Sequence, residues 1–118
     1  MRTHKDLDVW KLSVSFVVEI YKTTAFFPKN EIFGIVAQMR RAAVSIPSNI
    51  AEGAARNHQN EFKQFLYIAL GSAAELNTQI IVSQNLDYIQ RNKSDELIEK
   101  LDVISKMIQG LIKSVTNK

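Results

Sequence analysis

The stretch RRAAVSIPSNIAEG, residues 40–53, places a proline inside a segment that otherwise has the composition of an α-helix. Pro47 has no amide hydrogen to donate to the carbonyl of Ala43, and its ring crowds the preceding turn, so the helix must kink or restart there. Ile46 and Ile50 keep one apolar stripe in phase across the proline. Because serine and asparagine side chains beside the proline can bond the freed backbone groups, the stretch predicts a kinked helix rather than a break.

Apolar residues recur every three or four positions along the rest of the chain, and no segment alternates as a β-strand would. Phe27 before Pro28 ends the first helix, and Asn30 is positioned to cap the second. Helices of this length joined by short links pack as an up-down-up-down antiparallel four-helix bundle. Residues 1–118 are therefore predicted to form a single all-α domain. The predicted helices run from Leu7 to about Ala25, from Asn30 to about Gly53, from the region of Phe62 to Asn85 and from Ser94, as N-cap, to the region of Val115.

Composition narrows the class of protein. The chain has no cysteine, which excludes disulfides and thiolate chemistry and fits a reducing compartment. The N-terminus is too charged for a signal peptide, and no apolar run approaches the roughly 18 residues of a membrane span, so we expect a cytoplasmic protein with no membrane partner. The net charge is +3, and residues 1–56 hold eight Lys or Arg against five Asp or Glu. This bias permits an anionic partner but is modest for a dedicated nucleic-acid binder.

Helix one carries two apolar stripes on nearly opposite faces, since successive helical residues turn by about 100°. We assign the stripe of Trp10, Val14 and Tyr21 to the core. The second stripe is then expected outside, where it predicts contact with another subunit because a lone bundle seldom exposes such a patch. This second stripe consists of Val9, Leu12, Phe16 and Ile20.

Helices two and three also carry outward residues that suit a subunit contact. Gly71 points away from the predicted core, and an exposed helical glycine costs about 1 kcal/mol relative to alanine, so another backbone is expected to approach it. Helix four has a plainly charged outer face instead. We therefore expect helices one to three to form the subunit interface. Its remaining candidates are Arg41, Ser45, Ser48, Glu52, Tyr67, Gly71, Ala74, Glu75 and Thr78.

The sequence offers little that points to catalysis. His4 lies near the terminus and His58 in a polar link, and neither has acids or cysteines clustered around it. No Glu-x-x-His pair, glycine-rich phosphate loop or nucleophile elbow is present. Glu52 and Glu75 suit ion pairs with arginine better than acid–base work. We therefore predict that the protein is not an enzyme and has no catalytic residue, cofactor or metal site.

Basic residues in the first half of the chain are candidates for contact with RNA phosphates. Arg40 and Arg41 are adjacent, so they point about 100° apart and do not form one patch. Arg41 shares its face with Glu52 and is expected to form an ion pair at an interface, which leaves Arg40 as the freer candidate. The candidate nucleic-acid contacts are Lys5, Lys11, Lys29, Arg40 and Arg56.

The sequence resembles a known family in four successive blocks: DLDVWKLS at 6–13, FFPKNE at 26–31, QMRRAAVSIPSNIAEG at 38–53 and EFKQFLYIALGSAAELNTQI at 61–80. These blocks are similar to the four-helix bundle proteins encoded within intervening sequences of bacterial 23S rRNA genes. The resemblance implies a small cytosolic bundle that assembles into pentameric rings, in a family for which no enzymatic activity is established. A related branch serves diversity-generating retroelements as a basic pentamer that binds a reverse transcriptase and nucleic acid.

These observations lead to one expectation and two alternatives. We expect a non-catalytic, cytoplasmic homo-oligomer, pentameric by resemblance, that acts as an RNA-associated or scaffold protein. The first alternative is a protein–protein interaction module without direct RNA binding. The second is an enzyme, which would need titratable groups from two chains to converge on one cavity.

Overall fold

Four long α-helices make up the structure, a computed structural model that describes residues 3–117. Two short 3₁₀ turns, His4–Asp6 and Lys29–Glu31, precede the first and second helices, and no strand occurs within the described range. The all-helical, four-helix prediction is thus confirmed. The helices are α1 (Asp8–Thr24), α2 (Ile35–Ala55), α3 (Gln59–Asn85) and α4 (Arg91–Thr116).

The helices pack side by side in a bundle 46 Å long and 23 Å by 20 Å across. Each helix contacts the next along the chain, and α1 also meets α4. Arg40, near the start of α2, bonds Tyr21 and Thr24 at the end of α1, so these two helices are antiparallel. The short link 56–58 and the link 86–90 reverse the chain again. The loops joining α1 to α2 and α3 to α4 therefore lie at one end of the bundle.

The core is formed by one apolar stripe from each helix. On α2, α3 and α4 the apolar residues that recur every three or four positions form the core, with Met39, Ile50, Leu66, Ile80 and Ile108 fully inaccessible to solvent. Ile32, which the same spacing assigns to the core of helix two, is 46% exposed. Packing of this kind supplies most of the stability of amphipathic helices, because isolated helices of this length are marginal in water. Three of the four predicted core stripes are confirmed.

The predicted orientation of helix one is wrong. Phe16 and Ile20, together with Val9, are buried in the core, whereas Val14 and Val18 are 37% and 49% exposed. The true core face also contains polar residues whose hydroxyls bond carbonyls of their own helix, such as Thr24 Oγ1 to Ile20 O at 2.7 Å. These bonds within the helix allow the hydroxyls to be buried. The buried side of α1 can therefore contain more polar residues than its exposed side.

Pro47 lies inside α2, which runs without interruption from Ile35 to Ala55. The side-chain amide of Asn49 donates to the carbonyl and to the hydroxyl of Ser45, each at 2.8 Å. They do not reach the carbonyl of Ala43, which Pro47 leaves without its amide donor, and no side-chain bond within residues 3–117 goes to that carbonyl. The prediction that the helix continues through Pro47 is confirmed.

The sequence predicts that the second helix ends at about Gly53, but α2 continues to Ala55. Gly53 instead allows α2 to pack tightly against α3. A Cβ atom at this position would lie 2.7 Å from Phe65 Cβ and 3.0 Å from Phe62 Cδ1. Contacts that short do not occur between real side chains, so only glycine allows the two helices to approach this closely. The glycine is a packing residue rather than a helix terminator.

Two predicted helix starts are also corrected. Asn30 belongs to a 3₁₀ turn, and α2 begins after Gly34, whose ψ of −121° is not helical. Glu31 in that turn accepts a hydrogen bond from the Tyr88 hydroxyl at 2.7 Å. This bond raises the pKa of Tyr88 above its ordinary value of 10.0. Ser94 lies within α4 rather than capping it, since that helix begins at Arg91. The N-cap positions are instead occupied by Gly34 in α2 and Gln90 in α4.

Helix α3 starts without a side-chain cap, because His58 occupies the N-cap position and makes no capping bond. Replacing His58 with serine should create a capping box with Glu61, which lies three residues further on. We expect the free energy of unfolding to rise by about 0.5–1 kcal/mol, as measured by urea denaturation. His58→Ala is the control, and an equal gain in that variant would contradict the capping explanation.

Helix α3 is more apolar than the bundle requires. It is 27 residues long, and an 18-residue window within it has a mean hydropathy of 1.3, so by length and composition this helix could cross a membrane. The sequence analysis overlooked this window because uncharged polar residues interrupt its apolar runs, and the expectation of no membrane partner stays a prediction. Only 33% of the window is buried inside the bundle. Most of its surface therefore faces outward.

Candidate assembly faces

An apolar surface covers the outer side of α1 and α2, and we call it the α1–α2 face. Tyr21, Phe33 and Val44 line one shallow hollow of about 630 Å³. Val18 and Val14 lie on the same side of α1, one and two turns before Tyr21. Phe33 is 94% exposed, an unusual position for a phenylalanine. The α1–α2 face consists of Val14, Val18, Tyr21, Phe33, Ala37 and Val44.

Arg40 joins α2 to the end of α1 beneath this face. Its Nε donates to Thr24 Oγ1 at 3.0 Å, and its Nη2 donates to Tyr21 O at 3.3 Å. The guanidinium carbon lies 4.5 Å from the centre of the Tyr21 ring, within the range of a cation–π contact. The prediction that Arg40 is the freer of the two arginines is wrong, because its donors are engaged within the chain.

Arg41 points into solvent at the edge of the same face. It forms no ion pair with any residue in the range 3–117. Glu52, which was expected on its face, lies instead 4.0 Å from Arg56. Arg41 is therefore the one charged residue that borders the hollow with its side chain exposed and unpaired in the described part of the chain.

A second apolar surface, which we call the α3 face, lies on the outer side of α3. Tyr67 is 56% exposed, and Ile81 and Val82 are more than 40% exposed. Nothing lies within 4 Å of a Cβ placed on Gly71. Glu75 is the one charged residue among the exposed side chains from 67 to 82. The α3 face consists of Tyr67, Gly71, Ala74, Glu75, Thr78, Ile81 and Val82.

The remaining predicted interface residues lie in several different places. Ser48 and Glu52 are exposed, whereas Ser45 is half-buried and its hydroxyl is 2.8 Å from that of Ser72 on α3. Ser45 thus contributes to packing within the bundle and also lines the hollow of the α1–α2 face; its contact with another subunit stays a prediction. Leu12 is exposed at the α1–α4 groove. Val9, Phe16 and Ile20 are buried in the core, so the contact predicted for them is wrong.

The groove between α1 and α4 has a volume of about 250 Å³ and an apolar lining that includes Leu12 and Val103. Charged residues bridge it at one end, where Lys100 Nζ lies 2.9 Å from Glu19 and 3.2 Å from Glu96. Lys93 lies 3.8 Å from Glu19 and 3.6 Å from Glu96. The four side chains form an ion-pair network that holds α4 against α1.

This network should make stability depend on pH. The hydrogen bond from Lys100, with the charges of Lys93 and Lys100, lowers the pKa of Glu96 below its ordinary value of 4.5. A lowered carboxyl pKa stabilises the fold above pH 4.5, and that contribution is lost as the pH falls through the lowered pKa. We expect the free energy of unfolding to fall less steeply below pH 4.5 in Glu96→Gln than in the native chain. Identical slopes in denaturation curves would contradict this assignment.

The predicted nucleic-acid contacts do not form one basic patch. Lys5 and Lys11 are exposed near the start of α1, and Lys29 is exposed beyond its other end. Lys11 lies 13 residues before Thr24, the last residue of α1, which is about 20 Å at 1.5 Å per residue, and Lys29 lies beyond that end. Arg56 lies 3.9 Å from Glu61 and 5.2 Å from the Phe65 ring centre. Within one copy of the chain, these residues give no continuous surface for a phosphate backbone.

The sequence interpretation missed the surface residues Val18, Phe33 and Val44. The sequence does indicate Val18, because it lies on the same side of helix one as Val14 and Tyr21, which were wrongly assigned to the core. Phe33 and Val44 carry no comparable signal, because an apolar residue next to the core stripe of a helix is ordinarily read as part of the core. Only the tertiary structure shows that these residues lie on one continuous surface.

The fold and these surfaces define a small four-helix bundle that leaves two apolar faces uncovered. A family model described as 23S rRNA-intervening sequence protein matches residues 5–110. The chain therefore belongs to the 23S rRNA-intervening sequence protein family, and the resemblance seen in the sequence is confirmed.

A solved structure shows the same fold. It is the crystal structure of a protein of unknown function from the S23 ribosomal protein family of Bacteroides thetaiotaomicron, 26% identical to this chain. The match covers 89% of this chain and 95% of the other, with a TM-score of 0.83. No curated protein matches the chain.

Proposed function

We propose that the protein is a non-catalytic scaffold that assembles from copies of itself through the α1–α2 face and the α3 face. The observation that carries this proposal is the presence of two extended apolar surfaces on different sides of one small bundle. The accessible surface is 7287 Å², whereas a monomer of 13.4 kDa typically has about 6,500 Å². A bundle 46 Å long and about 20 Å across also has more surface than a compact domain of equal mass, so the two apolar faces, and not the total area, support assembly.

Assembly requires each contact between two copies to cover several apolar residues at once. Each 100 Å² of apolar surface removed from water contributes about 2.5 kcal/mol, and association costs at least about 4 kcal/mol in lost freedom of motion. A single exposed side chain does not meet this cost, but a stripe that runs from Val14 to Phe33 or from Tyr67 to Val82 does. Contiguous faces such as these are typical of protein–protein contact sites.

A second copy suits the α3 face better than a lipid bilayer does. Glu75 lies in the middle of the apolar face and is exposed. A carboxylate in the hydrocarbon region of a membrane is expensive, whereas at a subunit interface it can pair with an arginine. This comparison supports a water-soluble assembly in the cytoplasm, and the number of copies proposed, five, follows the family resemblance.

Association with RNA is the second candidate function. It is supported by the exposed Lys5, Lys11 and Lys29 and by the net charge of +3. Assembly would repeat these separated charges around one particle, and repeated weak sites act together. Retarded migration of structured rRNA at low salt, lost at high salt, would support this function. A partner protein recovered after nuclease treatment would support an interaction module without direct RNA binding.

Light scattering at micromolar concentration tests the main proposal. We expect a particle mass that is a multiple of the 13.4 kDa chain mass. A monomer across the micromolar range would contradict self-assembly and, with it, the scaffold function.

A further inference from the structure

We propose that a hollow beside Phe26 binds one unpaired nucleotide of a single-stranded nucleic acid, with the base stacked on the Phe26 ring and the phosphate facing Lys22 and Lys93. This inference rests on the second candidate function, association with RNA, and gives that association a site. The site is separate from the basic residues predicted from the sequence and from both assembly faces.

The hollow lies where the end of α1 meets the start of α4. Its volume is about 400 Å³, and side chains from both helices and their loops line it, among them Phe26, Tyr88 and Lys93. None of its lining residues belongs to the α1–α2 face or to the α3 face. Self-assembly through those faces therefore leaves one such hollow open on every copy.

Phe26 presents a nearly free aromatic ring at the edge of this hollow. The residue is 89% exposed, whereas the adjacent Phe27 is only 6% exposed. The backbone amides of Phe26 and Phe27 donate to carbonyls in the last turn of α1 at 3.3 and 3.1 Å, so the turn that carries the ring is held in place. An exposed ring of this kind is a platform for unpaired bases, since every base has an aromatic face.

Two lysines give the hollow a positive charge that suits a phosphate. Lys22 is exposed and forms no ion pair within the described part of the chain. Lys93 Nζ lies 3.8 Å from Glu19 and 3.6 Å from Glu96, too far for a hydrogen bond. Glu19 is the one acid among the described residues that line the hollow, and both of its carboxylate oxygens accept from Lys100 Nζ at 2.9 Å. Because Lys100 neutralises this acid, the two lysines leave an excess of positive charge.

The combination of ring and charge favours an unpaired strand over a protein partner. The anchor residues of protein interfaces fill well-packed, desolvated pockets, whereas this ring projects into water. A nucleotide needs only a ring face for its base and a cation for its phosphate. One hollow holds a nucleotide weakly, but a strand that reaches the same hollow on several copies binds more tightly.

Fluorescence anisotropy with a labelled, unstructured RNA of about 20 nucleotides, long enough to span more than one site, tests the proposal at low salt. Phe26→Ala should weaken binding at least about tenfold, because stacking is lost in every copy that the strand reaches. Phe26→Leu should show the same loss, since leucine is apolar but has no ring, whereas Phe26→Trp should bind at least as tightly as the native chain. Leu12→Ala is the control, since Leu12 is an exposed apolar residue in the neighbouring α1–α4 groove, and it should bind like the native chain.

Charge and base pairing provide further readouts. Lys22→Gln should weaken binding and reduce its dependence on salt, whereas Lys113→Gln, which removes an exposed lysine elsewhere on α4, should change neither. Phe26→Ala should leave the affinity for a duplex of the same sequence unchanged, because bases stacked within a duplex are not free to stack on the ring. In Phe26→Trp, stacking should quench the emission of the new tryptophan, and Trp10 is the only other tryptophan in the chain.

The outcomes separate the site from the function on which it rests, once circular dichroism and light scattering show that each variant keeps its fold and particle mass. If the native chain binds the RNA and either Phe26→Ala or Phe26→Leu binds it equally well, stacking on Phe26 is wrong while association with RNA stands. If the native chain does not bind the RNA at low salt, that association and its site are both overturned, and the scaffold function is unaffected. Loss of a partner protein in Phe26→Ala with unchanged RNA binding would assign the hollow to a protein instead.

Discussion

Gly53→Leu should lower the free energy of unfolding by about 3 kcal/mol or more, and Gly53→Ala by about 1–2 kcal/mol, because added atoms strain a packed helix contact. The Cβ position lies 2.7 Å from Phe65 Cβ and 3.3 Å from the carbonyl oxygen of Phe62. Neither neighbour can turn aside, since one is the first atom of its side chain and the other is backbone. The gain in helix propensity from glycine to alanine, up to about 1 kcal/mol, offsets only part of this cost.

Gly110→Ala is the matched control for this prediction, because it is the same substitution within a helix where a Cβ meets no atom within 4 Å. It should raise the free energy of unfolding by about 0.5–1 kcal/mol. Urea denaturation at one fixed protein concentration measures all three variants, since assembly makes stability depend on concentration. If Gly53→Ala proved as stable as Gly110→Ala, close packing of α2 on α3 at this point would be refuted.

Arg40→Ala should cost about 2–3 kcal/mol of folding free energy, because it removes two charged hydrogen bonds and a cation–π contact that hold α2 to α1. Arg41→Ala should change the free energy of unfolding by less than about 0.5 kcal/mol, as is usual for an exposed side chain without partners. The adjacent arginines therefore serve as controls for each other.

The same pair of variants separates a structural role from a role in assembly. Thermal unfolding should show a lower midpoint for Arg40→Ala alone, whereas Arg41→Ala should weaken association while the melting of the dissociated chain is unchanged. Equal destabilisation by the two substitutions would contradict the assignment of Arg40 to an internal tether.

The number and order of the helices follow from the sequence because each helix carries apolar residues at helical spacing, and on helices two, three and four most of these residues are buried. Leu66, Ile80 and Ile108 recur at helical spacing and are buried as expected. Helix one differs, since both of its faces are apolar and periodicity alone does not rank them. The face that is buried contains Ser13 and Thr24, whose internal hydrogen bonds are invisible in a sequence.

The residues at which the helices begin were less predictable than the number of helices. Asn30 and Ser94 are good capping residues by type, yet neither caps a helix in the structure. The bond between Glu31 and Tyr88 joins residues 57 positions apart, and no local pattern announces it. Helix α2 begins only after Gly34, whose backbone angles are not helical.

The candidate assembly faces were predictable in part. Gly71 and its outward neighbours on helix three were found from helical geometry, and the structure leaves them exposed; their contact with another subunit remains a prediction. On helix one, the wrong choice of core face placed Phe16 and Ile20 outside and concealed Val14 and Val18. Because the orientation of helix one was predicted wrongly, residues proposed for its outer surface are buried, and residues proposed for its core are exposed.

The central claim is that further copies cover the α1–α2 face and the α3 face while the outer side of α4 stays in water. The chain has no cysteine, so single cysteines introduced as Val18→Cys, Thr78→Cys and Lys106→Cys report directly on which surface is covered. In the assembled protein, thiol labelling at positions 18 and 78 should be at least about tenfold slower than at position 106, because covered side chains react only when the contact opens. Equal labelling rates at the three positions in assembled protein would contradict the claim.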